Sequence, residues 1–287
     1  MTFKPEAQLD PDQVTDVRGR SVGGRGLAVG GGGVGLVIAI VYLLLGGDPG
    51  ALLTTEPNTG AQPNASVIAE CQTGVDANER ADCRIVGFVN SIQDYWTEWY
   101  QAGGGRYRPA ETIIFSDAVG TACGSATSAV GPFYCPPDES IYIDLGFFND
   151  LQQRFGAEGG PLAEAYVVAH EYGHHVQNIE GVLRPGGGGS GEESHAVRTE
   201  LQADCFAGVW VHDAASSEYL EPPTADQIRQ ALDAAAAVGD DRIQSRTQGQ
   251  VNPEAWTHGS SEQRQQWFTV GYETGDPLQC DTFNADL

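Results

Sequence analysis

The sequence predicts an α+β fold that is mostly helical, with a small sheet ahead of a central helix and one transmembrane helix near the N-terminus. Apolar residues recur at helical spacing over 78–101 and 195–210. Two short segments, 112–115 and 141–145, are rich in β-branched and aromatic residues and predict strands. Residues 26–47 carry no charge and are long enough to cross a bilayer as a helix.

The N-terminal region predicts a single-pass membrane topology. Residues 1–25 form a predicted cytoplasmic stub, because four basic residues precede the uncharged segment and none follows before Arg80. This distribution places the N-terminus in the cytoplasm, the anchor at 26–47 in the cell membrane, and the domain beyond it on the extracytoplasmic side. A cleaved signal peptide is the competing interpretation, but a polar lead of about 25 residues is long for one.

Beyond the anchor, the composition divides the chain into a linker and one domain. Residues 48–66 are rich in Pro, Asn, Thr and Gly without apolar periodicity, which indicates a flexible tether. Residues 67–287 are sufficient for one hydrophobic core. Capping-box patterns that begin at Thr224 and at Ser260 predict two further helices within this domain.

Cysteine usage agrees with export of the domain. All six cysteines follow the anchor, which permits three disulfides in fifteen connectivities. We favour pairing between neighbours in sequence, because the last bridge would then join the helix at 195–210 to the C-terminal tail. The favoured pairs are Cys71–Cys83, Cys123–Cys135 and Cys205–Cys280. Zinc binding by cysteine is the weaker alternative, since the chain contains no Cys-x-x-Cys.

The predicted central helix carries the most informative residues of the chain. It begins at Pro161 and ends near Gly181, and it contains His170, Glu171 and His174. Residues four apart lie on one face of a helix, so both imidazoles can bind one zinc ion while the glutamate reaches a water molecule beside it. This pattern predicts half of a catalytic zinc site, with Glu171 as the general base.

A second helix supplies the remaining candidates. Apolar positions in 195–210 recur every four residues, and Glu200 and Asp204 share one face of this helix. A catalytic zinc takes three protein ligands and keeps one position open. We therefore predict one catalytic Zn²⁺ bound by His170, His174 and Glu200. Asp204 is predicted to accept the free ring N–H of a ligand histidine, which fixes its tautomer.

These motifs carry a resemblance to known peptidases. His-Glu-x-x-His followed by Glu-x-x-x-Asp is similar to the thermolysin-like zinc peptidases with a glutamate ligand. Residues 171–177, 200–205 and 261–264, with Trp267 and Phe268, resemble the bacterial family of neutral zinc metallopeptidases. The resemblance implies a membrane-tethered, zincin-like hydrolase that cleaves a peptide or protein substrate. It also implies that an edge strand of the small sheet pairs with the substrate main chain, although the sequence leaves open which strand that is.

A further histidine is a candidate for stabilising the oxyanion of a tetrahedral intermediate. His258 precedes the predicted helix cap at Ser260, where a loop side chain can turn toward a cleft. An exposed loop histidine is an equally good interpretation of the same residue. Tyr166, Tyr172 and Arg264 are alternative candidates for this role, and the sequence does not rank them.

Charge and motif content leave three classes of function. The formal net charge of −24, from 39 acidic and 15 basic residues, disfavours nucleic acid as a partner because the field repels phosphate. An active zinc peptidase, an inactive membrane-tethered zincin-like binding module and a structural zinc protein remain. The complete set of candidate residues disfavours the inactive module, whereas a fourth protein ligand would favour structural zinc. The sequence therefore favours a membrane-anchored zinc metallopeptidase.

Overall fold

The computed structural model describes residues 1–19, 65–184 and 188–287, and about half of these residues are helical. The fold is α+β, with a lower helical content than the sequence predicts. The helices are α1 (Ala65–Ile68), α2 (Gly74–Glu79), α3 (Ala81–Ala102), α4 (Phe147–Gln153), α5 (Pro161–Ile179), α6 (His195–Ala214), α7 (Ala225–Ala237), α8 (Asp240–Gln248) and α9 (Ser261–Thr274).

The strands of the described residues are β1 (Val14–Asp16), β2 (Glu111–Phe115), β3 (Ala118–Thr121), β4 (Gly124–Thr127), β5 (Phe133–Cys135) and β6 (Ser140–Asp144). Four of them form the main sheet in the order β1-β2-β6-β5, and β3 and β4 form a separate hairpin. The β1–β2 and β2–β6 pairs are parallel, whereas β5 runs antiparallel to β6. The main hydrophobic core lies between the sheet and the helices, and a smaller apolar cluster covers the other face of the sheet.

Most predicted elements are confirmed. The central helix is α5, which begins at Pro161 and buries most of its residues, and both predicted capping boxes are present, on α7 and α9. The two predicted strands are β2 and β6. Four strands, β1, β3, β4 and β5, have no counterpart among the predicted elements. They are three or four residues long, and β3 to β5 lie among glycine, serine and proline, which favour turns.

Helix α9 and the Cys205–Cys280 disulfide fix the position of α6. At Gly271 in α9, an added Cβ would lie 1.9 Å from the carbonyl oxygen of Cys205 in α6, so the two backbones approach too closely for a side chain. The Cys205–Cys280 disulfide also joins α6 to the C-terminal tail.

The other disulfides are Cys71–Cys83 and Cys123–Cys135. The favoured pairing is therefore confirmed, and the six cysteines are not zinc ligands.

Residues 1–19 are part of the folded domain. Phe3 is fully buried, and its ring centroid lies 5.2 Å from that of Phe88. The side chain of Asn78 bonds both backbone groups of Phe3 at 2.9 Å, and Phe3 forms an antiparallel bridge with Leu220. Farther along the chain, β1 joins the sheet beside β2. Residues 1–19 therefore lie on the same side of a membrane as the helices that they contact.

This packing contradicts the predicted membrane topology. A cytoplasmic stub could not contact a domain on the other side of a membrane, yet residues 1–19 pack against the domain formed by residues 67–287. Across the three described ranges, no helix is both long and apolar enough to cross a bilayer. The predicted transmembrane helix and the single-pass localisation with an extracytoplasmic domain are therefore wrong for the described chain. The segments assigned to the anchor, 26–47, and to the linker, 48–66 as far as Asn64, lie outside the described residues.

We expect Phe3→Ala in the full chain to destabilise the folded protein by about 3–5 kcal/mol, because truncating a buried phenylalanine leaves a cavity in the core. Thermal and denaturant unfolding measure this loss. The matched control is Val75→Ala, since Val75 is 44% exposed and its truncation should change stability by less than about 0.5 kcal/mol. Equal stability of the two variants would contradict the docking of residues 1–19.

Candidate active site

The candidate site lies where α5 and α6 cross. At Gly173 in α5, an added Cβ would lie 2.9 Å from the Cα atom of Ala203 in α6. The obstructing atom belongs to the backbone of α6 and cannot rotate away as a flexible side chain could. Position 173 therefore requires glycine for the two helices to cross at this distance. The close approach brings the carboxylates of α6 against the two histidines of α5.

The three predicted ligands lie together at this crossing. The Nε2 atom of His170 is 3.1 Å from Oε2 of Glu200, and the Nε2 atom of His174 is 3.5 Å from Oε1 of the same carboxylate. One possible ligand atom from each residue falls within 4.8 Å of the others. Among the residues that the structure describes, no fourth histidine, cysteine or carboxylate belongs to this cluster.

Each imidazole is oriented by a hydrogen bond at its other ring nitrogen. The Nδ1 atom of His170 is 2.8 Å from Oδ1 of Asp204, and the Nδ1 atom of His174 is 2.8 Å from Oε1 of Gln177. The amide nitrogen of Gln177 in turn donates to the carbonyl oxygen of Thr199 at 2.6 Å. The sequence analysis placed Gln177 within the motif 171–177 but assigned it no role, and its position three residues after His174 on the same helix is the signal that could have done so. These bonds direct both Nε2 atoms toward Glu200.

Asp204 is the centre of a buried network. Its Oδ1 atom accepts from the Tyr166 hydroxyl at 2.5 Å and from Nη2 of Arg264 at 3.0 Å, and its Oδ2 atom accepts from Nε of Arg264 at 2.8 Å. Asp204 is fully buried and Arg264 is 4% exposed. Burial alone would raise the pKa of Asp204, but the Arg264 guanidinium and His170 outweigh this effect and lower the pKa. The carboxylate therefore stays ionised beside His170.

Two of the predicted ligands, Glu200 and His170, have pKa values shifted from their ordinary values. Burial opposes the charge on Glu200, but His174 and the hydrogen bond from His170 outweigh it and hold the pKa of Glu200 well below its ordinary value. Burial likewise opposes the charge on His170, whereas the Asp204 carboxylate raises the pKa of His170 above its ordinary value. Without a metal ion, His170 therefore holds a proton between two carboxylates. Binding of a divalent cation must displace that proton.

Glu171 faces the same cleft as the three predicted ligands. It is 9% exposed, and burial raises its pKa, while the neighbouring His174 and His170 act in the opposite direction. The backbone N–H of Tyr134 in β5 also lowers the pKa of Glu171. A carboxylate with a raised pKa beside a cation site has the properties of a general base.

His258 lies in the wall of this cleft, which excludes its interpretation as an exposed loop histidine. Its Nδ1 atom is 3.2 Å from Oδ1 of Asp240, and Oδ2 of Asp240 accepts the backbone N–H groups of Thr257 and His258, both at 2.7 Å. Burial opposes the charged form, but the Asp240 carboxylate outweighs it and raises the pKa of His258. Sequence reasoning missed Asp240, which is distant from His258 in sequence.

The alternative candidates for the oxyanion role have other partners. The hydroxyl of Tyr172 lies 2.8 Å from Oγ1 of Thr112 in β2, so its side chain points toward the sheet. Tyr166 and Arg264 line the cleft, but both bind Asp204. The structure therefore leaves His258 as the candidate whose side chain lines the cleft without bonding Asp204.

The cleft has a volume of about 250 Å³ and mostly apolar walls. One wall comes from β5 and the loop before it, and another comes from α4 and α8. The apolar lining includes Val130, Phe147, Phe155, Val167 and Ile243. Among the strands that the structure describes, β5 is the outermost on this side, so its main-chain edge is free there and borders the cleft.

Comparison with known proteins identifies the family. A family described as "putative neutral zinc metallopeptidase" matches residues 4–283. The chain belongs to this family. The chain is 51% identical over 254 residues to an uncharacterized protein of Mycobacterium tuberculosis, with 85% of each chain covered. It is 37% identical over 296 residues to the uncharacterized protein YpfJ of Escherichia coli, with 98% of this chain and 99% of that one covered. No solved structure matches the chain.

Family membership implies zinc and a peptide or protein substrate, and the donor set fits this metal. Two imidazole nitrogens and one carboxylate are ligands that zinc takes in hydrolytic sites, where three protein groups leave one position open. Hydrogen bonds from Asp204 and Gln177 to the other ring nitrogens are the usual support for such ligands. His170, His174 and Glu200 could therefore hold a zinc ion.

We expect Asp204→Asn to weaken zinc binding by roughly 10–100-fold, because the amide no longer supports His170 as a carboxylate does. Competition of the full chain with a chromogenic chelator measures this affinity. The variant should also unfold more readily, since Arg264 keeps a buried charge without its counterion. Asp213→Asn, at the C-terminal end of the same helix, is the control. Unchanged affinity in Asp204→Asn would remove this residue from the site.

Proposed function

We propose that the protein is a zinc-dependent endopeptidase with a single catalytic metal ion. The observation that carries this proposal is the convergence of two Nε2 atoms and one carboxylate beside a buried glutamate in a cleft. Each of these groups comes from α5 or α6, whose crossing leaves little freedom for rearrangement. The arrangement supports hydrolysis because a proton acceptor lies next to a site for a Lewis acid.

The residues have distinct proposed roles. His170, His174 and Glu200 hold the metal ion, which when bound supplies Lewis acidity toward water and the scissile carbonyl. Glu171 takes a proton from the attacking water and delivers it to the nitrogen of the leaving amine. Asp204 keeps the His170 ring in one orientation throughout.

His258 is proposed to donate a hydrogen bond to the oxyanion that forms at the scissile carbonyl. Asp240 binds its Nδ1 atom, which leaves Nε2 as the available donor. The same carboxylate raises the pKa of His258, so the imidazole remains a charged donor to higher pH than an ordinary histidine. A charged, partly buried donor stabilises developing negative charge more strongly than a neutral exposed one.

The two competing functions have less support. A structural zinc normally has four protein ligands, whereas the described residues bring only three candidate ligands together. An inactive binding module would have no need for a buried glutamate beside the metal site, because a charge in that position is costly to bury. The supporting contacts of Gln177, Arg264 and Asp240 likewise favour a working site.

The proposal is tested by comparing Glu171→Gln with Glu200→Ala in the full chain, since residues 1–19 belong to the fold. We expect about one zinc per wild-type and per Glu171→Gln chain by elemental mass spectrometry, and strong loss of zinc from Glu200→Ala. Hydrolysis of a mixed peptide library should fall by about 10²–10⁴-fold in Glu171→Gln, the usual contribution of a general base.

Glu180→Gln, near the end of the same helix, is the matched control for loss of a carboxylate, and it should retain both zinc and activity. Absence of zinc from folded wild-type protein would reject the metal site. Zinc without any hydrolysis of the library would reject the peptidase function and favour a binding module. Near-wild-type rates in Glu171→Gln would reject this residue as the base.

We expect His258→Leu to lower kcat by about 10²–10³-fold with unchanged zinc content, because one donor to the oxyanion is lost while the ligands are intact. Steady-state kinetics on a cleaved peptide measure the effect. His212→Leu, an exposed histidine at the end of α6, controls for loss of an imidazole elsewhere. An increase in KM with unchanged kcat would show that His258 contributes to substrate binding and not to the oxyanion.

A further inference from the structure

The side chain of Tyr134 connects the outer strand β5 to the helix that carries the site. Tyr134 is 3% exposed, and its hydroxyl lies 3.0 Å from Nδ1 of His175 and 2.9 Å from Nδ2 of Asn178. Both partners belong to α5, one to two turns beyond Glu171. Tyr134 therefore bonds the same helix that holds the proposed base and two of the proposed ligands.

The direction of each bond in this cluster follows from its partners. The Nε2 atom of His175 lies 2.6 Å from the carbonyl oxygen of Arg108, which can only accept, so the ring proton is on Nε2. The Nδ1 atom of His175 then accepts, and the Tyr134 hydroxyl donates to it. The same hydroxyl accepts from the amide of Asn178. The Tyr134 hydroxyl thus both donates and accepts, and both ring nitrogens of His175 have a partner, which lowers the cost of burying them.

Tyr134 and Glu171 line the same cleft, and the Tyr134 hydroxyl binds α5 one to two turns beyond Glu171. The side chains of Phe133 and Cys135 belong to the apolar cluster on the opposite face of the sheet, so Tyr134 is the residue of β5 that faces α5. β5 has β6 as its partner on one edge, and its other edge borders the cleft.

We propose that Tyr134 is a positioning residue that fixes the free edge of β5 relative to Glu171, through its bonds to His175 and Asn178. This inference rests on the proposed peptidase function, in which an extended substrate would pair with that edge. A strand of three residues with one partner strand has few other bonds that set its distance from α5. Loss of the hydroxyl should therefore release the strand without disturbing the ligands.

The test compares Tyr134→Phe with Tyr142→Phe in the full chain. Tyr142 lies on the adjacent strand β6, and its hydroxyl donates to Asp138 at 2.9 Å on the face away from α5. Both variants remove one buried hydroxyl and keep the ring, so general destabilisation affects them alike. The kinetic readout compares a peptide long enough to pair with β5 against a short peptide that spans little more than the cleaved bond.

We expect Tyr134→Phe to raise KM for the long peptide by about fivefold to tenfold, the size of one lost hydrogen bond, with kcat and zinc content little changed. The short peptide should show no such increase, and Tyr142→Phe should show neither effect. An equal change for both peptides, or the same change in both variants, would overturn the positioning role.

Hydrogen exchange in the metal-free protein provides a readout that does not depend on activity. We expect faster exchange of the amides of 133–135 in Tyr134→Phe than in wild type, with the ends of α5 unchanged. Unchanged exchange would overturn the attachment of β5. If the wild-type protein cleaves no peptide, the proposed function fails, yet this measurement still decides whether Tyr134 holds the strand.

Two substitutions of His175 distinguish its hydrogen bond to Tyr134 from its hydrogen bond to Arg108. In His175→Asn, the amide oxygen can accept from Tyr134 near the former Nδ1 position, whereas in His175→Gln the amide nitrogen can donate to Arg108 near the former Nε2 position. We expect the Asn variant to show a smaller increase in KM for the long peptide than the Gln variant. The reverse order would contradict the role assigned to the Tyr134 hydroxyl.

Discussion

The buried carboxylate of Asp204 is the interaction on which the arrangement of the site depends. A carboxylate without water is stable only when its oxygens are bonded, and here the bonds join three helices, because Tyr166 and His170 in α5 and Arg264 in α9 bind Asp204 in α6. Any shift of one helix would leave a charge or a hydroxyl without its partner. The bonds that make burial of Asp204 possible therefore also set the orientation of the first ligand histidine.

The same principle recurs around the other groups of the site. Gln177 orients His174 and is itself held by the backbone of α6, and Asp240 orients His258 while binding the loop that carries it. The partner of His258 comes from a different element, while Gln177 lies on the same helix as His174 and links it to α6. This distribution makes the geometry a property of helix packing, since no single loop determines the position of any of these groups.

The site residues whose arrangement depends on spacing within one helix could be predicted from the sequence. Pairs of residues four apart on α5 and α6 identified His170, His174, Glu200 and Asp204 as site candidates, because helical periodicity is visible in the chain itself. The supporting partners Arg264 and Asp240 are distant in sequence from the groups that they support, and nothing in local composition pairs them. The short strand β5 lacked a strand signal because its three residues lie between glycine and proline, which favour turns. The membrane topology was inferred from charge and apolar length, but the docking of residues 1–19 depends on single anchors such as Phe3, which no window average detects.

The attachment of residues 1–19 also bears on how the chain reaches its native state. Lys4 bonds the carbonyl oxygen of Ser217, 213 positions later, and the backbone near Phe3 pairs with that near Leu220. During synthesis, the early residues leave the ribosome long before these partners exist. Loop closure over so many residues is slow, and the grooves that receive the N-terminal segment form only when α6 is in place. Residues 1–19 are therefore made before their partners but reach their final positions after them, so a chaperone that shields Phe3 meanwhile would protect the nascent chain from aggregation.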